Sequence, residues 1–103
     1  MKSFSAMWIV VSRGMADTVM NVAREAGAKG GTIVPCRGTG HHDTHESLLR
    51  SPIANERELV MIVTPDEVTR AVALAINEQL KLDEPGSGLL LTLPICDARG
   101  LVI

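Results

Sequence analysis

Apolar runs of five to seven residues alternate along this chain with two stretches of helical period, and the periods separate strands from helices. Ser5 to Val11 is apolar on both faces and reads as a central strand, closed by Ser12-Arg13-Gly14. From about Met15 to Ala26, the residues Ala16, Val19, Met20, Ala23 and Ala26 recur at helical spacing, and Gly27 stands where a left-handed C-terminal cap belongs. Thr32 to Arg37 reads as a second strand. Its Pro35 cannot donate to a ladder, which places that strand at a sheet edge. Glu58 to Val63 is the third strand. Thr64, Pro65 and Glu67 then spell an N-cap, a first helical position and a capping box. The apolar stripe of this second helix is Val68, Ala71, Val72, Ala75, Ile76 and Leu80. After the loop KLDEPGSG, Leu89 to Leu93 forms a fourth strand stopped by Pro94, and the tail from Ile95 to Ile103 either adds a short strand or packs on a neighbour.

The order β-α-β-β-α-β predicts an α+β, ferredoxin-like fold: a four-stranded antiparallel sheet with two helices on one face and the second and fourth strands at opposite edges. No helix is left for the other face. Because the strands are apolar on both sides, that face is expected to be buried in an oligomer. The polar excursion from Gly40 to Glu56 is long for a structureless connection in so small a chain, which marks it as functional.

Composition narrows the function. With 103 residues the chain reads as one domain, 1–103. Hydrophobic residues make up 46% but aromatics only 2%, Phe4 and Trp8, so the core is aliphatic. A net charge of -2 and the lack of any Lys/Arg cluster argue against nucleic acid as a partner. The N-terminal apolar run is too short for a signal peptide or a membrane span, which makes the cytoplasm the expected location. Cys36 and Cys96 stand in no metal or redox spacing and read as reduced thiols.

No nucleophile–base or acid–base pair occurs at recognisable spacing, so no enzymatic activity is expected. All three histidines fall in His41-His42-Asp43-Thr44-His45, which could hold Zn, Ni or Cu or could be a solvated loop; whether it binds metal is left open. Gly38-Thr39-Gly40 and Gly86-Ser87-Gly88 match neither a Walker nor a dinucleotide spacing and, taken alone, are turns. Glu56 and Glu58 flank Arg57 as surface ion-pair partners.

Taken together and in order, four segments resemble the PII signal-transduction family of nitrogen regulatory proteins: Gly14 to Met20, Gly30-Gly31-Thr32 into Arg37-Gly38-Thr39-Gly40, Val63 to Glu67, and Gly86-Ser87-Gly88. The resemblance runs from about Met7 to Pro94. It implies a homotrimer whose sheets face a central axis and whose inter-subunit clefts bind an adenine nucleotide (ATP, ADP or AMP) as effector. It implies a T-loop, here about Gly40 to Glu56, that controls a transporter or metabolic enzyme in nitrogen or carbon metabolism. Nucleotide contacts are implied for Val10, Thr32, Gly38, Gly40, Arg57, Val63, Gly86, Ser87 and Gly88, with 81–88 as the phosphate-wrapping B-loop. Thr32 takes the adenine-contacting position, and Arg57 stands where the family keeps a phosphate-binding lysine. Partner contacts are implied for His41, His42, His45, Leu48, Leu49 and Arg50.

This chain also departs from the family pattern. Leu89 replaces a lysine after the glycine turn, His41 and His42 replace an arginine and a glutamine, and a C-terminal arginine pair is missing. These changes remove charge from a triphosphate site and the glutamine that serves magnesium and 2-oxoglutarate. With no tyrosine present, T-loop uridylylation is ruled out. The alternative reading is a metal-binding trimer of the same fold that uses His41 to His45.

Overall fold

The computed structural model describes residues 3–39 and 56–101. Its elements are β1 (Phe4–Ser12), α1 (Ala16–Glu25), β2 (Gly31–Arg37), β3 (Glu56–Pro65), α2 (Asp66–Leu80) and β4 (Leu89–Pro94). The four strands form one antiparallel sheet in the order β2-β3-β1-β4. This is the ferredoxin-like arrangement, and Pro35 lies on an edge strand as its missing donor requires.

Register decides what each face carries. Met7 and Ile9 lie opposite Ile62 and Val60, and all four are buried with Val11 under Val19, Met20 and Ala23 of α1 and Val72 and Ile76 of α2. The other face carries Ala6, Trp8 and Val10 of β1 beside Val63, Met61 and Leu59 of β3. Leu89, Leu91 and Leu93 of β4 extend it, opposite Val10, Trp8 and Ala6. Trp8, Leu89, Leu91 and Leu93 are 44%, 50%, 46% and 41% exposed, an apolar surface that the two described helices leave uncovered.

The helix termini show how sequence becomes geometry. α1 closes in a Schellman motif: Gly27, at φ 122, donates its N–H to the Arg24 carbonyl, and Ala28 donates to that of Ala23. Its N-terminus has no local side-chain cap. Instead Glu58 Oε1, from β3, accepts the N–H groups of Gly14 and Ala16 at 2.8 and 3.0 Å. A carboxylate there satisfies orphan amides and opposes the helix dipole. Glu58 is therefore a cap supplied across the fold and not the surface ion-pair partner expected of it.

The expected N-cap of the second helix is also corrected. β3 continues through Thr64 and Pro65, which pair with Ser5 and Phe4, so Pro65 becomes the residue before the helix and Thr64 is strand. The buried Thr64 hydroxyl bonds Thr69 Oγ1 at 2.7 Å, while Thr69 donates to the Pro65 carbonyl at 3.0 Å. Thr69 spends its single hydrogen on that carbonyl, so Thr64 donates to Thr69. At the other end Lys81 takes the left-handed conformation, φ 54, and stops α2. Beyond Pro94 no further strand forms among the described residues; Ile95 donates one hydrogen bond to the Phe4 carbonyl. β3 opens at Glu56, two residues before the apolar run that predicts it, and takes in the last residue of the polar excursion.

Gly31 opens β2 where a Cβ would stand 2.7 Å from the Met61 carbonyl oxygen and 2.9 Å from Met20 Sδ. Gly31→Ala is therefore expected to destabilise the chain by about 1–3 kcal/mol through overpacking. Glu58→Ala, which strips both amides of their acceptor, should cost about 1–2 kcal/mol. Urea unfolding checks both, read as a lower midpoint at unchanged slope.

Candidate functional site

The end of β1, the start of β3, the end of β2 and the 81–88 connection converge at one corner of the sheet. Antiparallel pairing sets Ser12 opposite Arg57, and Arg57 opposite Cys36, on the uncovered face. Between them lies a cavity of about 130 Å³ lined by Val10, Ser12, Gly38, Arg57, Gly86, Gly88 and Leu89. Five of the residues expected at a nucleotide site, Val10, Gly38, Arg57, Gly86 and Gly88, thus meet in one place. Leu89, which stands at the family's lysine position after the glycine turn, lines this cavity too, and Ser12 lines it without being among the expected contacts. The period-two alternation that put Val10 on this face would have put Ser12 on it as well.

The 81–88 connection is built from turns. Glu84 donates its N–H to the Lys81 carbonyl at 2.9 Å and Ser87 donates to the Glu84 carbonyl at 3.2 Å. The second turn has Pro85 at its first central position and Gly86, with φ 78, at its second, a type II pattern that needs glycine there. Closing it consumes the Ser87 amide, so the expected anion nest over Gly86-Ser87-Gly88 loses that donor, and Ser87 does not line the cavity. Gly88, at φ 137, lies so close to β1 that a Cβ would stand 2.8 Å from the Val10 carbonyl oxygen. That contact fixes the turn against the strand.

Among the described residues Arg57 is the one charged residue lining this cavity. Its Nη1 donates to the Glu56 carbonyl at 3.3 Å. A guanidinium, a hydroxyl, glycine backbone and two apolar side chains, with no lining carboxylate among the described residues, suit an anionic group attached to an apolar body.

Thr32 and Val63 lie elsewhere. They line a second cavity of about 340 Å³ with Lys29, Gly30, Gly31, Met61 and Leu101, the last contributed by the tail. Arg57 and Val63 stand about 20 Å apart along β3 at the usual strand rise of about 3.3 Å per residue. The two groups of expected contacts therefore sit at opposite ends of the sheet. Gly40, His41, His42, His45, Leu48, Leu49 and Arg50 fall outside the described residues, as does the possible metal segment. Among the described residues no cluster of His, Cys, Asp or Glu could hold a metal ion. Cys36 and Cys96 are free thiols on strands or termini at opposite edges of the sheet. No described helix is long and apolar enough to cross a membrane.

Comparison with solved structures finds the same fold at low identity. CPII of Thiomonas intermedia bound to ADP, AMP and acetate superposes with a TM-score of 0.69 at 17% identity, covering 94% of this chain and 90% of that one. Arabidopsis thaliana PII bound to citrate gives 0.67 at 18% identity, covering 90% and 78%. The B. subtilis GlnK–ATP complex gives 0.67 at 18%, covering 90% and 82%. No curated protein sequence matches the chain. The family profile described as Nitrogen regulatory protein P-II matches residues 5–101. That match spans nearly the whole chain, and the chain belongs to the P-II family of nitrogen regulatory proteins.

Proposed function

We propose that the chain is a non-catalytic regulator that binds an adenine nucleotide at seams between copies of itself and transmits occupancy to a partner protein through residues 40–56. The observation that carries this reading is the corner cavity, where Arg57, Ser12 and the Gly86 and Gly88 backbone face one small space. Solved relatives of the same fold hold ADP, AMP or ATP. The apolar rim of Val10 and Leu89 suits the nucleoside side of such a ligand.

The separation of the two cavities supports a seam between copies. One copy presents Arg57 at one sheet end and Thr32 with Val63 at the other, too far apart to grip phosphates and base of one molecule comfortably. If a neighbour's Thr32 end meets this copy's Arg57 end, the two halves make one site. A head-to-tail contact of that kind makes a ring when its rotation closes, and a threefold rotation gives a homotrimer that buries the uncovered apolar face inside it. Among the described residues a single guanidinium lines the phosphate end, so ADP and AMP should bind in preference to ATP. Differential affinity of the partner for the loaded and empty forms then supplies the coupling.

Isothermal titration with ADP, AMP, ATP and adenosine tests the site, and light scattering tests the assembly. Arg57→Gln is expected to weaken ADP by about 10–100-fold, the worth of one charge-assisted hydrogen bond, and to leave adenosine unchanged. Val63→Glu should weaken both ligands. Tight ADP binding by a species of single-chain mass would overturn the seam.

A further inference from the structure

Arg57 also borders a second space. At the corner where the turn after β1 meets the ends of β2 and β3, a cleft of about 630 Å³ is lined by Arg13, Arg37 and Arg57 together with Glu56 and Glu58. The strand register sends Glu56 and Glu58 to the helix side of the sheet, opposite Arg37 and Pro35, and sends Arg57 to the uncovered side. This cleft is therefore a different environment from the nucleotide cavity, with Arg57 as the residue common to both.

The charges in it are not evenly matched. Glu58 is committed through Oε1 to the amides of Gly14 and Ala16 and holds the start of α1. Glu56 pairs with Arg13 at 2.6 Å, with the two side chains 40% and 63% exposed. An exposed pair of this kind is screened and contributes little. Arg37 has no ion-pair partner among the described residues, although Glu56 lies directly opposite it in register. Among the described residues on this side of the sheet, the two guanidinium groups of Arg13 and Arg37 thus share one exchangeable carboxylate, Glu56.

We propose that this cleft binds a small oxyanion, held by Arg13 and Arg37, in exchange for the Glu56 carboxylate. A planar guanidinium offers paired N–H donors to two oxygens that share a charge, and carboxylate and phosphate both present that pair. The incoming anion takes the place of Glu56 on Arg13 and adds Arg37, so the exchange gains a contact. Glu56 is the first residue of β3 after residues 40–55, so the exchange acts where that segment rejoins the sheet. The site does not depend on nucleotide binding.

Titration of the full chain with inorganic phosphate, and separately with acetate, in low-salt chloride buffer tests the proposal. Arg13→Gln and Arg37→Gln should each weaken binding by about tenfold or more. Glu56→Gln should tighten it by about threefold, since the competitor is gone and an exposed ion pair is worth about that much. A merely structural ion-pair network predicts no gain from Glu56→Gln. Saturating ADP should leave the anion's affinity unchanged. Saturable binding of either probe with this pattern of variants supports the proposal and identifies the oxyanion as phosphate or carboxylate. Failure of both probes to bind the parent chain, no tightening in Glu56→Gln, or displacement by ADP would each overturn it. Unfolding midpoints of the three variants, all at partly exposed surface positions, verify that the fold is retained.

Discussion

A strand that is apolar on both faces can bury only one of them under its own helices. β1 states the constraint plainly: Met7, Ile9 and Val11 disappear beneath α1 and α2, and Trp8 between them is left 44% exposed. β4 repeats it with Leu89, Leu91 and Leu93. Burying a large aliphatic or aromatic side chain is worth about 1.5–3 kcal/mol, so this surface outweighs any single cap or ion pair in the molecule. The candidate site lies at its rims, with Val10 and Leu89 lining one cavity and Met61 and Val63 the other. An assembly that dries the face would draw both rims toward neighbouring copies, so stability and ligand binding would rest on the same contact.

The second organising feature is the alternation of three consecutive residues on β3. Glu56 reaches Arg13, Arg57 enters the corner cavity on the opposite side, and Glu58 caps α1. Side chains of an extended strand point to opposite faces in turn, so a slip of one residue would exchange all three roles at once. Register is held against such a slip by the buried Val60, Ile62 and Thr64 further along the same strand. The packing core thereby fixes where the charges go. Close approaches at Gly31 and Gly88 act in the same way, setting β2 against Met61 and the 81–88 turn against Val10.

Much of this was legible in the sequence because it rests on local signals. Element order followed from apolar periodicity, the edge position of β2 from Pro35, and the end of α1 from Gly27. Interactions across the fold were not legible. Glu58 reaches amides more than forty residues away, and nothing near α1 announces its cap. Thr64-Pro65-Asp66-Glu67 fits a capping box, but strand pairing with Ser5 and Phe4 holds Thr64 in β3 and shifts the boundary. Gly86-Ser87-Gly88 shows glycines without showing that Pro85 closes a turn on the Ser87 amide. The proposed contact residues could be named from the family pattern, yet their division between two ends of the sheet becomes visible only with strand register.

That division bears on how such a chain would signal. Arg57 and Ser12 stand on paired strands, and Gly86 belongs to a turn stiffened by Pro85, so the groups lining the corner cavity are carried by hydrogen-bonded backbone. Gly38 lines the corner cavity and Glu56 lines the arginine cleft, and in sequence residues 40–55 lie between these two. Ligands in the two spaces would therefore bear on both feet of that segment while leaving the sheet beneath unchanged. A ligand biases the partner-binding form of such a chain only so far as it binds that form with a different free energy from the others. The physical requirement is modest: differential contact at the feet, not deformation of the core.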